Sequence, residues 1–408
     1  MVTARFWPEN AMSATRVTSY VEHLAARGHH VTVLTRRGPT SVDETAPRPS
    51  YRVIRVRDPI ARIERHVSAS AGSSRRLRSS RTAVRVRQRL MRGIAWPDRF
   101  SLWAMIAVVR LRAKPLDADV VVSSGPPLSA VLVGSLLARK AGAHHVVEFR
   151  DLISTGTYND GGRARRWTER VLERRAVRSA RALVTVSQPL ARDLATIHDA
   201  PVTVVQNGFD DTVPVVPRAP QPDGSPLRLA FCGEIYVGRR DPSPLFAALR
   251  ELDETGVAVT VDFYGNTSEV LRGLVREHGV EDMVSLHDRV SHADSRRIQE
   301  ESDVLLLLMW NDPREMGVYS GKLYEYIGAR RPILMLGYVD GVAATLIRDR
   351  SAGIVANDST DIGSALRHWA DQKRTSGIPS LPGRAAVGLS RTDQAQVLEQ
   401  LLVRVVDG

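Results

Sequence analysis

Apolar and polar positions alternate along this chain between two periods. Residues 16–35, RVTSYVEHLAARGHHVTVLT, read as an amphipathic helix, a glycine stop at Gly28 and an apolar β-branched strand. The unit recurs. A strand at 118–124 precedes a helix at 128–142, and a strand at 144–149 precedes a helix over about 163–180. A strand at 182–187 leads to a helix at 188–197 and a strand at 202–206. After residue 226 the alternation restarts, with strands at 227–233, 257–265, 283–288, 303–309 and 332–337. Helices fall between them at 242–256, 267–278 and 291–301, and the end, 359–405, reads as helical. Continuous apolar strands separated by helices predict parallel sheets covered on both faces.

The stretch 210–226, DDTVPVVPRAPQPDGSP, has no periodicity and reads as a linker. The predicted organisation is therefore an α/β chain of two doubly wound, Rossmann-like domains, 1–209 and 227–390, joined by 210–226. The remainder, 391–408, is expected as a C-terminal helix that packs back on the N-terminal domain. Such domains bind ligands at the carboxyl ends of their strands. Only MVTA is left to supply a first strand ahead of FWPEN, so that strand is expected to be a stub, or else Met1 is not the natural start.

Composition narrows the class. The longest apolar run, VLLLLMW at 304–310, is far shorter than the ~20 residues of a membrane-spanning helix. No signal-peptide apolar region opens the chain, and its single cysteine, Cys232, allows no internal disulfide, so a cytoplasmic location is expected. The net charge of +12 is uneven: residues 1–200 carry 35 basic and 16 acidic residues, and 201–408 carry 22 and 29. The first half is thus expected to meet something acidic. Within it, 62–92 holds ten arginines and one acid, Glu64. This is either a cationic helix on anionic lipid or a solvated loop. It lacks interleaved aromatics, and no nucleic-acid module is recognisable, so no nucleic-acid partner is expected.

Four places carry candidate chemistry. In SGKLYEYIGARRP, Ser320 is a helix N-cap, and the amides of Gly321, Lys322 and Leu323 are expected to point out of the helix end. A lysine there sits at the unfavourable end of the helix dipole unless an anion joins it. Glu325, one turn on, would accept hydrogen bonds from ligand hydroxyls; the alternative is a solvated Lys322–Glu325 pair. In GEIYVGRRDP, Gly233 closes a strand and Arg239 and Arg240 precede a helix, an arrangement suited to phosphate or to an ion pair with Asp241. Arg150 and Asp151 end a strand, where Asp151 would orient or deprotonate a hydroxyl unless the two form a structural ion pair. Glu9 lies in the loop entering the first helix with Ser13, expected as an N-cap, and Arg16. The histidine pairs at 29–30 and 144–145 sit on strands, where neighbours point to opposite faces, so no metal site is predicted.

Taken in order, FWPENAMSATRVTSYVEHLAARGHHVTVLT, VVEFRDL, VTVSQPLARDL, VVQNGFD, FCGEIYVGRRDPSPLFAAL and SGKLYEYIGARRPIL resemble the family 4 retaining glycosyltransferases of the GT-B fold. The likeness is greatest to bacterial members that build surface glycans, and it spans nearly the whole chain. It departs from the family in three places. The first of two motif glutamates falls on Gly317, a strand-end histidine is replaced by Arg150, and the glycine-rich opening loop reads ENAMSA.

The resemblance implies transfer of a sugar from a nucleotide diphosphate donor to a hydroxyl acceptor, lipid-linked or glycan, with retention. It implies neither metal nor cofactor. Gly233, Arg239, Arg240, Ser320, Gly321, Lys322, Leu323 and Glu325 would hold the donor, while Glu9, Arg150 and Asp151 would be catalytic. An anionic membrane surface is the further expected partner, with the protein peripheral on the inner face of the cell membrane. The rivals are a nucleotide-sugar epimerase on the same fold and an inactive scaffold, which Gly317 and the stub strand would favour.

Overall fold

The computed structural model describes residues 1–9, 11–37, 50–60, 96–156, 162–212, 215–217, 219–235, 238–265 and 268–408. The arginine stretch 62–92 lies outside the described residues. The chain divides into two compact units, Met1–Gln206 with Gln394–Gly408, and Asn207–Asp393.

The first unit runs α1 (Met12–Ala26), β1 (Thr32–Arg36), β2 (Arg52–Val56), α2 (Ser101–Arg112), β3 (Val120–Gly125), α3 (Leu128–Ala141) and β4 (His144–Phe149). It continues with α4 (Arg163–Val177), β5 (Ala180–Thr185), α5 (Gln188–Ile197) and β6 (Val202–Val204). Strands β3, β4, β5 and β6 pair in that order, all parallel, and β1 pairs with β2, also parallel. The expected stub lies between the two groups. Val2 bridges Leu34 of β1 and Ser123 of β3, its amide donating to the Val122 carbonyl at 2.7 Å. Five consecutive residues of β4, His145 to Phe149, are buried, as a strand covered on both faces requires.

The second unit contains β7 (Leu227–Gly233), α6 (Ser243–Glu254), β8 (Val259–Gly265), α7 (Glu269–His278), β9 (Val284–His287), α8 (His292–Glu301) and β10 (Val304–Leu308). Next come α9 (Gly321–Gly328), β11 (Ile333–Leu336), α10 (Val342–Asp349), β12 (Gly353–Val355), α11 (Ser359–Thr375) and α12 (Gly383–Ala386). The expected C-terminal helical stretch is therefore broken, with α13 (Arg391–Asp407) as its last piece. The strand order is β12–β11–β10–β7–β8–β9, all parallel. Helices α6, α7 and α11 bury one face of the sheet, and α9, α10 and α12 the other. The order reverses between β7 and β10, so a crevice opens at their carboxyl ends, where ligands of such sheets bind. Gly233 and Gly265 end β7 and β8 so closely that a Cβ on Gly265 would lie 1.9 Å from the Gly233 carbonyl oxygen.

The described part of 210–226 is held to the second unit. The Asp223 amide donates to the Lys373 carbonyl, and Lys373 Nζ reaches the Pro226 carbonyl at 2.8 Å and Asp303 at 2.6 Å. These bonds tie its end to α11, so it does not run as a free strap.

Helix α13 crosses back to the first unit, where Ala395, Leu398, Leu401 and Val405 form a helical stripe against Tyr20 and strands β3 to β5. On its flank Glu399 accepts from His23 at 2.9 Å, His29 at 3.0 Å and Arg27 at 3.4 Å. Burial alone would push the Glu399 carboxyl up, but these donors bring it down to about 2. A depressed carboxylate contributes stability above its unfolded value and loses it as pH falls through the folded one. A stability gap between wild type and Glu399→Gln is therefore expected at about pH 5. It should close as pH falls from 4.5 towards about 2, as read from urea midpoints.

Candidate active site

Helix α9 buries Leu323, Tyr324, Tyr326 and Ile327, which leaves Lys322 and Glu325 half-buried at the crevice side of its first turn. The Cys232 amide, at the end of β7, donates to Tyr326 Oη at 3.2 Å and fixes the helix to the switch point. Burial pushes the Tyr326 phenol well above its usual range. Glu325 adds to that shift and Arg240 opposes it, so both charges act around this hydroxyl.

Ser320 is the N-cap, as expected, its Oγ accepting from the Lys322 amide at 3.3 Å. The Leu323 amide donates to the Ser320 carbonyl at 3.1 Å. Two of the three amides expected to point outwards are thus taken up within the turn. The charge at the helix end comes mainly from Lys322. Its Nζ lies 2.8 Å from Glu325 Oε2, which also accepts from Gln299 Nε2 at 3.3 Å. Gln299 is buried on α8 and is held in turn by Ser295 Oγ at 3.0 Å. Both protein contacts fall on Oε2, and Glu325 Oε1 has no partner among the described residues. Glu325 borders a cavity of about 220 Å³ together with Asp210, His292, Arg296 and Arg391.

Arg239 and Arg240 diverge. Arg240 Nη1 donates to the Glu234 carbonyl at 2.8 Å, bracing its own loop. Arg239 lies over the Trp310 ring at 4.9 Å, and Arg314 over the same ring at 4.0 Å. Asp241 accepts from the amide and hydroxyl of Ser243 at the start of α6. Both arginines line a second cavity, of about 400 Å³, with Trp310, Asn311 and Asn357. The structure thus gathers Ser320, Lys322, Glu325 and Gln299 at one place and sets Arg239 and Arg240 on a neighbouring cavity.

In the first unit, Arg150 closes the end of β3, donating from Nε to the Gly125 carbonyl at 3.3 Å and from Nη2 to the Pro126 carbonyl. Burial pulls its guanidinium down, opposed by Glu148 and Asp151. Asp151 is exposed beside it at the carboxyl end of β4. Glu9 is engaged by Arg36, with Nη2 at 3.0 Å from one carboxylate oxygen and 3.1 Å from the other. Ser13 is not the N-cap: α1 starts after Ala11 with no side-chain cap, and Ser13 lies inside the helix. Arg16 is not in the loop either. It is buried, with Nε 2.8 Å from Glu148 Oε1 and Nη2 2.6 Å from the Val205 carbonyl. Among the described residues, no group of three or more His, Cys, Asp or Glu is placed to hold a metal ion.

Sequence reasoning passed over Gln299 and Glu148. Nothing in QEES marks the first, whereas a lone acid inside the apolar strand HHVVEF was a signal for the second.

Several solved structures share this architecture. WaaG, a glycosyltransferase involved in lipopolysaccharide biosynthesis, is 15% identical with a TM-score of 0.58, over 100% of this chain and 99% of its own. HepE of Anabaena, in complex with UDP and glucose, is 11% identical with a TM-score of 0.59, over 99% of this chain and 100% of its own. The lipopolysaccharide outer core galactosyltransferase WaaB is 12% identical with a TM-score of 0.56, over 98% of each chain. At such identities these likenesses define the class by fold: GT-B, with two Rossmann-like domains. No curated protein matches the sequence. The family model for a glycosyl transferase 4-like domain matches residues 13–208, a little under half of the chain. The amino-terminal unit carries that domain.

Proposed function

We propose that the protein transfers a sugar from a nucleotide diphosphate donor to a hydroxyl acceptor, lipid-linked or glycan, with retention and without a metal. The Lys322–Glu325–Gln299 arrangement at the switch point carries this reading. A carboxylate anchored through one oxygen by an amide and an ammonium offers its other oxygen to a ribose diol. Lys322, at the positive helix end, supplies charge to the departing diphosphate, a task that a divalent ion performs in many transferases. A UDP complex of the similarly folded HepE supports the donor class. In the first unit Asp151, exposed at a strand's carboxyl end, suits an acceptor hydroxyl better than Glu9, whose two oxygens Arg36 occupies. The protein would work in the cytoplasm, on the inner face of the membrane.

Incubation with a panel of nucleotide diphosphate sugars, with and without EDTA, tests the reading. Release of free nucleotide diphosphate that EDTA leaves unchanged is expected, with an anomeric product matching the donor. Interconversion of the sugar with no released nucleotide would indicate an epimerase, and no turnover or binding of any donor would indicate a scaffold.

A further inference from the structure

Helices α2, α3 and α4 lie side by side on one face of the first unit's sheet. Lys140 of α3 donates to the Leu111 and Arg112 carbonyls at the end of α2, at 2.5 and 2.8 Å. Arg139 donates to the Arg175 carbonyl near the end of α4, at 3.3 Å. The carboxyl ends of the three helices therefore meet, and their outer surfaces form one continuous layer.

That layer has an unusual makeup. Helices α2 and α3 contain no acidic residue at all. Helix α4, RARRWTERVLERRAV, contains two, and both turn inwards. Glu169 accepts from Arg165 at 2.7 Å, while Glu173 accepts from the Ser154 amide at 2.9 Å and contacts His198 at 3.2 Å. Exposed on α4 are Arg163, Arg166, Arg170, Arg174 and Arg175, with Trp167 and Val171 one turn apart among them. Trp167 is 66% exposed. On α2, Met105 and Val109 form a second exposed apolar pair at the same spacing, and Val109 is 74% exposed. Leu136 is exposed on α3 between them.

We infer that this three-helix face docks on an anionic lipid surface. Cations without a matching carboxylate select a negatively charged partner, and each contributes near such a membrane over about a Debye length. A polyanion alone would give Met105, Val109, Trp167 and Val171 nothing to bury. A bilayer interface does: the indole seats at headgroup level, and arginine stems lie along the apolar boundary with their guanidinium groups on phosphates. The surface involves none of the donor residues, so it stands or falls apart from the transferase chemistry.

The test is flotation of the full chain with vesicles of phosphatidylcholine alone, or of equal parts phosphatidylcholine and phosphatidylglycerol, at low and high salt. Wild type is expected to float with the mixed vesicles only, and less at high salt. Trp167→Ser with Val171→Ser, and separately Arg166→Glu with Arg170→Glu, should each weaken partitioning by roughly tenfold or more. Unchanged circular dichroism and nucleotide titration would show that both variants remain folded. Arg85→Gln with Arg87→Gln and Arg89→Gln should retain most of the binding. The inference is overturned if wild type ignores the mixed vesicles, or if either α4 variant floats like wild type. Loss of binding in the 85–89 variant alone would place attachment in that stretch and overturn it equally. So would binding that depends on the arginines but not on Trp167 and Val171, which would mark a polyanion site.

Discussion

Arg16→Met is expected to destabilise the first unit by about 3–5 kcal/mol at neutral pH, the range for breaking a buried ion pair from one side. Arg16 and Glu148 are both almost fully buried, 2.8 Å apart. Arg16 also donates to the carbonyls of Val205 and Gln206, and Ser124 donates to the other Glu148 oxygen. One side chain of α1 thereby joins β4 to the segment after β6. Without it, Glu148 keeps its burial and loses its main counter-charge.

Burial alone would push the Glu148 carboxyl up; Arg16, Arg150 and Ser124 together bring it below its usual value. In wild type its contribution is therefore present above an unfolded value of 4.5 and fades as pH falls through the depressed folded one. In the variant the carboxyl can escape its unpaired charge by taking a proton. The deficit should be largest at pH 7 and should shrink in acid. Adding Glu148→Leu should recover part of the loss, and only part, because the two carbonyls and Ser124 lose their partners. Urea unfolding at neutral and acidic pH measures all three. Equal deficits for Arg16→Met at both pH values would contradict the ion-pair account.

Lys322→Ala is expected to weaken nucleoside diphosphate binding by about 10–100-fold, or roughly 1.5–3 kcal/mol for a charge-assisted contact. Monophosphate binding should fall less, since the lysine is assigned to the departing phosphates. Apo stability should change by less than about 0.5 kcal/mol: the Glu325 pair is lost, but a cation leaves the positive end of the helix. Glu325→Gln should act differently, costing ribonucleotides more than their 2′-deoxy analogues. Suppose Lys322→Ala instead lowers apo stability by more than about 1 kcal/mol and leaves nucleotides bound as before. The lysine would then be a structural residue paired to Glu325, and the donor reading of this turn would fail.

Much of this architecture was legible because parallel strands are continuous apolar runs, and ALVTV and VLLLL announce themselves. Helix α2 was missed. SLWAMIAVVRLR is apolar nearly all round, so its periodicity is faint, although Trp103, Ala107 and Leu111 mark the buried stripe. Strand β2 was missed because YRVIRV alternates arginine with apolar residues and offers no continuous apolar run. The helical stretch at the end breaks near IPSLPG, where two prolines interrupt it before α12.

At the site, the N-cap of α9 could be read from SGK, but the fate of its amides could not. Whether they face a ligand or close the turn depends on local geometry. Gln299 and Glu325 stand 26 positions apart and meet because α8 packs on β7, next to the switch point. No spacing rule encodes that. Arg239 and Arg240 were grouped as neighbours in sequence, whereas consecutive side chains before a helix diverge, one to its own loop and one to Trp310.

Calorimetric titration of the wild-type chain with uridine, guanosine, adenosine, cytidine and thymidine diphosphates tests the central claim most directly. The expected result is saturable heat with at least one of them, reduced in Lys322→Ala and retained in Arg166→Glu with Arg170→Glu. Absence of heat with every diphosphate, from a chain shown to be folded, would contradict the assignment of the α9 turn as a nucleotide site.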